Sequence, residues 1–162
     1  MKWLVAFLFV IICGCSTSQE LLGPIELNQL KQPPHNEWFT TEYENYKPFA
    51  KTTDQLKVLL QDVEIKVYMG VWCSDSQMQV PAFFRILDAI NFNGKLSIIA
   101  VDKEKKTPSG SAAKNKITYV PTFIFYKNGE EINRIVESPI DFLEDDMLAI
   151  LGGEAYKHTY EE

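Results

Sequence analysis

Cys73 stands in the run Trp72-Cys73-Ser74-Asp75-Ser76, and the flanking pattern says what its sulfur could do. Upstream, Ile65 to Met69 is a short apolar run ended by Gly70, which reads as a buried strand. Downstream, Val80, Phe83, Phe84, Leu87 and Ile90 recur at helical spacing, with Pro81 inside the helix. The thiol therefore falls between a strand end and a helix start. Backbone N–H groups and the helix dipole favour an anion there, which is the condition for a nucleophilic thiolate. Asp75 opposes this if its carboxylate faces the sulfur, since like charges repel; as an early helix residue it could instead cap the helix. The two histidines, His35 and His158, lie far apart, and no Cys/His cluster has ligand spacing, so neither a metal nor a cofactor is expected.

Composition places these residues in one packed domain. The 162 residues are 46% apolar and 12% aromatic, enough for a core. A formal charge of −6 argues against nucleic acid as a partner. No internal repeat is visible.

The N-terminus reads as a targeting segment. Lys2 precedes an unbroken apolar run from Trp3 to Ile12, too short to span a membrane stably. Ile12-Cys13-Gly14-Cys15 resembles the bacterial lipobox. That resemblance implies a lipoprotein signal over 1–14, lipidation of Cys15 and loss of Cys13, leaving Cys73 as the free thiol. An ordinary secretory signal cleaved nearby is the alternative. The expected location is the cell envelope, held by the lipid; Ser16 in place of an aspartate points to the outer membrane, facing the periplasm.

Residues 15–36 contain Pro24, Pro33 and Pro34 without periodicity and read as a lipidated tether. An aromatic-rich extension follows over 37–52, with Trp38, Phe39, Tyr43, Tyr46 and Phe49 on a helical face that Pro48 interrupts. Packing on the core is its expected role, a ligand-binding aromatic patch the alternative. The domain proper covers 53–152, before a tail at 153–162. It alternates a helix over 53–61, the strand at 65–69, the helix at 76–90, a strand over 96–101, a long polar connection over 103–116, strands at 121–126 and 131–136, and a helix over 140–151. Asn128-Gly129 marks a hairpin, and Gly152-Gly153 closes the last helix, whose apolar set is Phe142, Leu143, Met147, Leu148 and Ile150. This order predicts an α/β fold, a mixed sheet with helices on both faces.

The segment Trp-Cys-x-x after a buried strand, followed by Val120-Pro121-Thr122 and by Phe125-Tyr126-Lys127-Asn128-Gly129-Glu130, resembles thioredoxin over residues 51–151. With the aromatic extension and the lipobox, it is similar to thioredoxin-like envelope proteins of Bacteroidetes-type bacteria. The resemblance implies the three-layer thioredoxin-like fold. It implies Cys73 as attacking thiol, Trp72 as its shield, and Pro121 as a cis-proline whose loop, with Val120 and Thr122, receives an extended substrate. Covering the core is the plainer role for Trp72. The chain departs from the family pattern at three positions: Ser76 replaces the resolving cysteine, Val67 stands where a buried acid is usual, and Ile98 where its lysine neighbour would be.

Three functions are consistent with these residues. One is single-thiol exchange, with Cys73 forming mixed disulfides with envelope protein thiols or disulfides and an external thiol releasing them. Another is a non-catalytic binding module on the same fold. The third, a peroxide-reacting cysteine, lacks an arginine near the thiol, since Arg85 is over two helical turns away. Lys103, Lys105, Lys106, Lys114 and Lys116 read as a solvated face, and the acids around the start of the last helix as dipole partners.

Overall fold

A computed structural model describes residues 20–161 of the chain. The expected signal and Cys15 lie outside the described residues. In chain order the elements are β1 (Gly23–Ile25), α1 (Leu27–Leu30), α2 (Asn36–Asn45), α3 (Ala50–Leu59), β2 (Val63–Met69), α4 (Ser74–Ala89), β3 (Leu96–Ala100), α5 (Ser111–Lys114), β4 (Thr122–Lys127), β5 (Glu130–Val136) and α6 (Leu143–Gly152).

The strands form one sheet in the order β1-β3-β2-β4-β5. β2 and β3 run parallel, and every other pairing is antiparallel. Strand residues alternate between faces, and the two faces are covered unequally. Val63, Ile65, Val67 and Met69 of β2 join Phe123, Phe125 and Ile135 in the larger core beneath α2, α3, α4 and α6. Phe83 of α4 meets Phe123 there with ring centroids 4.5 Å apart. Tyr68, Ile99, Ile124 and Val120 point the other way, under the single turn of α5 and its flanking loop. The fold is thus the expected three layers, one of them mostly loop. Asn128 and Gly129 both have positive φ, 55° and 83°, as the two-residue hairpin turn demands.

Two expectations need correction. The segment 15–36 is not a plain tether over its described part. Gly23–Ile25 adds an edge strand to β3, with Pro24 tolerated because an edge strand need not donate on its free side. Leu30 of α1 is wholly buried in the larger core. A three-residue strand is too short to leave a periodic signal. The stretch 37–52, by contrast, packs on the core as expected: Phe39 of α2 is buried against Phe84 of α4, and α3 lies beside α6. Finally, Phe142 is not on the buried face of the last helix. It is the N-cap of α6, half exposed, with its edge on Phe49.

Two buried acids in the first turn of α6 tie the appendages down. The Tyr46 hydroxyl and the Phe49 N–H donate to the two oxygens of Glu144. The Tyr156 hydroxyl and the Ile140 N–H donate to Asp146, at 2.6 and 2.8 Å. The segment 153–162 is therefore docked, at least through Tyr156. Burial and the neighbouring carboxylate, Glu144 for Tyr46 and Asp146 for Tyr156, hold both phenols well above their ordinary value.

If the N-terminal elements belong to the core, Leu30→Ala is expected to cost about 2–5 kcal/mol in denaturant unfolding, whereas a residue in a free tether would cost nothing measurable. A phenol whose folded pKa exceeds its unfolded one stabilises fully below about pH 10, and that contribution is lost as pH rises towards the folded value. The urea midpoint should accordingly fall above about pH 10, and fall less steeply in Tyr46→Phe.

Candidate functional site

The site is built where β2 passes into α4. The β2–β3 ladder ends with the Val101 N–H on the Met69 carbonyl, 2.8 Å. The chain then turns tightly, and the Cys73 N–H donates to the Gly70 carbonyl at 3.0 Å. Gly70 in turn donates its N–H to Ser76 Oγ at 3.2 Å, and Ser76 is completely buried. Serine at this position thus spends its hydroxyl on the turn, with the backbone of Gly70 rather than the sulfur as its partner. Gln77 adds a second tie, its Nε2 donating to the Val71 carbonyl at 2.8 Å.

Cys73 is the N-cap of α4 and is partly exposed. Its thiol donates to the Val120 carbonyl, with 3.2 Å between sulfur and oxygen, and Asp75 Oδ2 lies 3.8 Å from the sulfur. Asp75 therefore faces the thiol, and no side-chain hydrogen bond caps the helix. Arg85 is turned away, over the ring of Tyr43 on α2.

Trp72 lies across the turn. Its indole N–H donates to the Val101 carbonyl at 3.0 Å, and its ring occupies the space beside Gly70, where a Cβ would come within 2.6 Å of it. The ring packs on the smaller core, which is the plainer of its two expected roles. Lys105 Nζ sits 5.9 Å from the ring centroid, so this lysine is drawn to the site's edge rather than to open solvent.

The facing loop is carried by β4. Val120–Pro121 is a cis bond, both residues are buried, and Thr122 Oγ1 donates to the Tyr119 carbonyl at 2.7 Å. Of these three residues it is Val120 whose carbonyl touches the sulfur of Cys73, while the Thr122 hydroxyl is taken by the loop itself. Asn115 holds the loop on the sheet. Its amide donates to the Tyr68 hydroxyl and the Ser111 carbonyl, its side-chain oxygen accepts from the Tyr126 hydroxyl, and its carbonyl accepts from Arg134. Nothing in the sequence marks Asn115, since its partners come from three other elements. Val67 and Ile98 are directly paired across β2 and β3 and buried, so the sheet under the site is apolar at both positions.

This constellation of half-exposed thiol at a helix N-cap, covering tryptophan and cis-proline loop lies within a stretch, residues 44–147, that matches the thioredoxin family profile. The chain belongs to the thioredoxin family. Thioredoxin of Staphylococcus epidermidis is 30% identical over 89 residues, covering 50% of this chain and 82% of that one. A chloroplastic thioredoxin of Arabidopsis thaliana is 33% identical over 87 residues, which span 52% of this chain and 48% of that protein. Among solved structures, a Pseudomonas aeruginosa protein of unknown function aligns with a TM-score of 0.54 at 18% identity, over 73% of this chain and 81% of its own; the likeness is one of fold.

Within this thioredoxin-fold chain, Ser76→Ala would leave the Gly70 N–H without its partner. The expected loss is about 1–3 kcal/mol, read as a lower denaturant midpoint at unchanged slope.

Proposed function

We infer that the chain is a single-thiol exchange protein of the bacterial envelope. In this reading Cys15 carries a lipid, and Cys73 forms mixed disulfides with envelope proteins. The supporting observation is that Cys73 presents a partly exposed sulfur at a helix N-cap opposite the Val120 carbonyl, while position 76 holds a sealed serine engaged with Gly70.

The chemistry runs in two displacements. Cys73 loses its proton to solvent and attacks one sulfur of a partner disulfide. The partner S–S bond breaks as the Cys73–S bond forms, and the second partner sulfur leaves as a thiolate that takes up a proton. Ser76 cannot repeat the attack from within. A second thiol, from the partner or a small-molecule thiol, must strike the mixed disulfide, and Cys73 then departs as a thiolate and is reprotonated. The Val120 carbonyl holds the resting thiol and must release it for reaction, leaving its lone pairs free for a backbone N–H of an extended substrate.

Incubation with oxidised glutathione, read by mass spectrometry, should give one adduct at Cys73, stable until a thiol is added and absent from Cys73→Ser. Ser76→Cys should shorten that adduct's lifetime by forming an internal disulfide. A thiol that gives no adduct overturns the exchange reading and leaves a docking module.

A further inference from the structure

The tail beyond α6 reaches the loop that faces Cys73. Its root is fixed: Tyr156 donates to Asp146, and the Tyr156 carbonyl accepts from Asn133 at 3.0 Å. Its far end, residues 158–161, folds into a turn of its own, with Glu161 N–H on the His158 carbonyl and Tyr160 N–H on His158 Nδ1. Tyr160 then makes two contacts outside the tail. Its ring stacks on Tyr119 with centroids 3.9 Å apart and planes 13° from parallel, and its hydroxyl donates to Glu137.

Both contacts flank the cis-proline. Tyr119 directly precedes Val120, and the Glu137 N–H donates to the Pro121 carbonyl at 2.7 Å. The clasp therefore bridges the chain entering the loop and the strand end beside it. The hydrogen bond to Glu137, with some desolvation, raises the Tyr160 phenol to about 12. The phenol stays protonated at neutral pH and keeps donating. Yet the clasp is weakly held. Tyr160 is 41% and Tyr119 37% exposed, so water competes for the hydroxyl and covers much of each ring. A segment with a buried root and an exposed, loosely held tip opens readily without unfolding the domain.

The geometry points to residues 158–161 as a displaceable strap that closes one side of the groove beside Cys73, so that a polypeptide partner must lift Tyr160 off Tyr119 to lie along Val120 and Pro121. Small thiols and disulfides, which need only the sulfur, pass it. The freed Tyr119 face would then receive an apolar or aromatic side chain of the partner. This rests on the exchange reading of Cys73 for its purpose, but not for its test.

Access is measured by alkylation, with one warhead in two sizes: N-ethylmaleimide and a maleimide on a polyethylene glycol chain. The full chain is compared with Tyr160→Ala, with Tyr160→Phe, which keeps the stack and loses the hydroxyl contact, and with a truncation after Lys157 that keeps the Tyr156 anchor. Unchanged thermal midpoints establish that the variants are folded. The strap is supported if the bulky reagent labels Cys73 several-fold faster in Tyr160→Ala and in the truncation, with Tyr160→Phe between, while the small reagent's rate stays put. An unchanged bulky rate overturns it, as does an equal rise for both reagents, which would mean that the tail covers the sulfur itself. Glutathione adduct formation, measured in parallel, reads the exchange chemistry separately: its failure beside a size-selective alkylation response removes the exchange reading and leaves the strap standing.

Discussion

The hydrogen bond from the Gly70 N–H to the buried Ser76 hydroxyl is the constraint on which the site depends. A strand that ends in the interior and turns at once into a helix exposes backbone groups that the ladder and the helix no longer serve, and each must find a partner. Here the strand end and the first helical turn satisfy one another. Val101 completes the ladder at Met69, Cys73 bonds back to Gly70, and Ser76 reaches from inside α4 to the same residue. The helix start is thereby locked to the strand, and Cys73, as the N-cap, has nowhere to go but the surface opposite Val120.

The unequal covering of the sheet explains the other half of the site. Helices α1, α2, α3, α4 and α6 contribute to the core on one face, and the opposite face is closed by one short helical turn and loop. Such a loop holds its shape only if its polar groups are satisfied, and Asn115 does this with four partners, one each from β2, α5, β4 and β5, through its side chain and its carbonyl. The Val120 carbonyl is aimed at the sulfur by a frame built in this way, and the apolar pair Val67 and Ile98 leaves no buried proton carrier in the sheet at those positions. A site that presents one thiol, with no resolving partner at position 76, is chemically consistent with both features.

Glu144 and Asp146 give the acids of α6 a larger part than complementing a helix dipole. Both are buried in its first turn, where carboxylates are favoured by the free N–H groups, and each then accepts from a tyrosine on a segment outside the central fold. One ties down the N-terminal helices, the other the tail. A single helix end therefore couples the layer under the sheet to the strap that reaches the site.

What the sequence determined by itself was what short-range patterning encodes. The strand–Cys73–helix junction, the Asn128-Gly129 hairpin, the order of elements over 53–152 and the family resemblance around Val120-Pro121-Thr122 depend on neighbours in the chain, and each is found in the structure. Tertiary structure alone decided the edge strand at Gly23–Ile25, the burial of Leu30, the exposure of Phe142, the hub at Asn115 and the stack of Tyr160 on Tyr119. The choice of Gly70 rather than the sulfur as the partner of Ser76 belongs with these. In each case the deciding partner lies in another element or across a turn, and such pairings leave no period in the sequence. A buried serine, an asparagine or a terminal tyrosine has many possible partners along a chain, and only folding selects one.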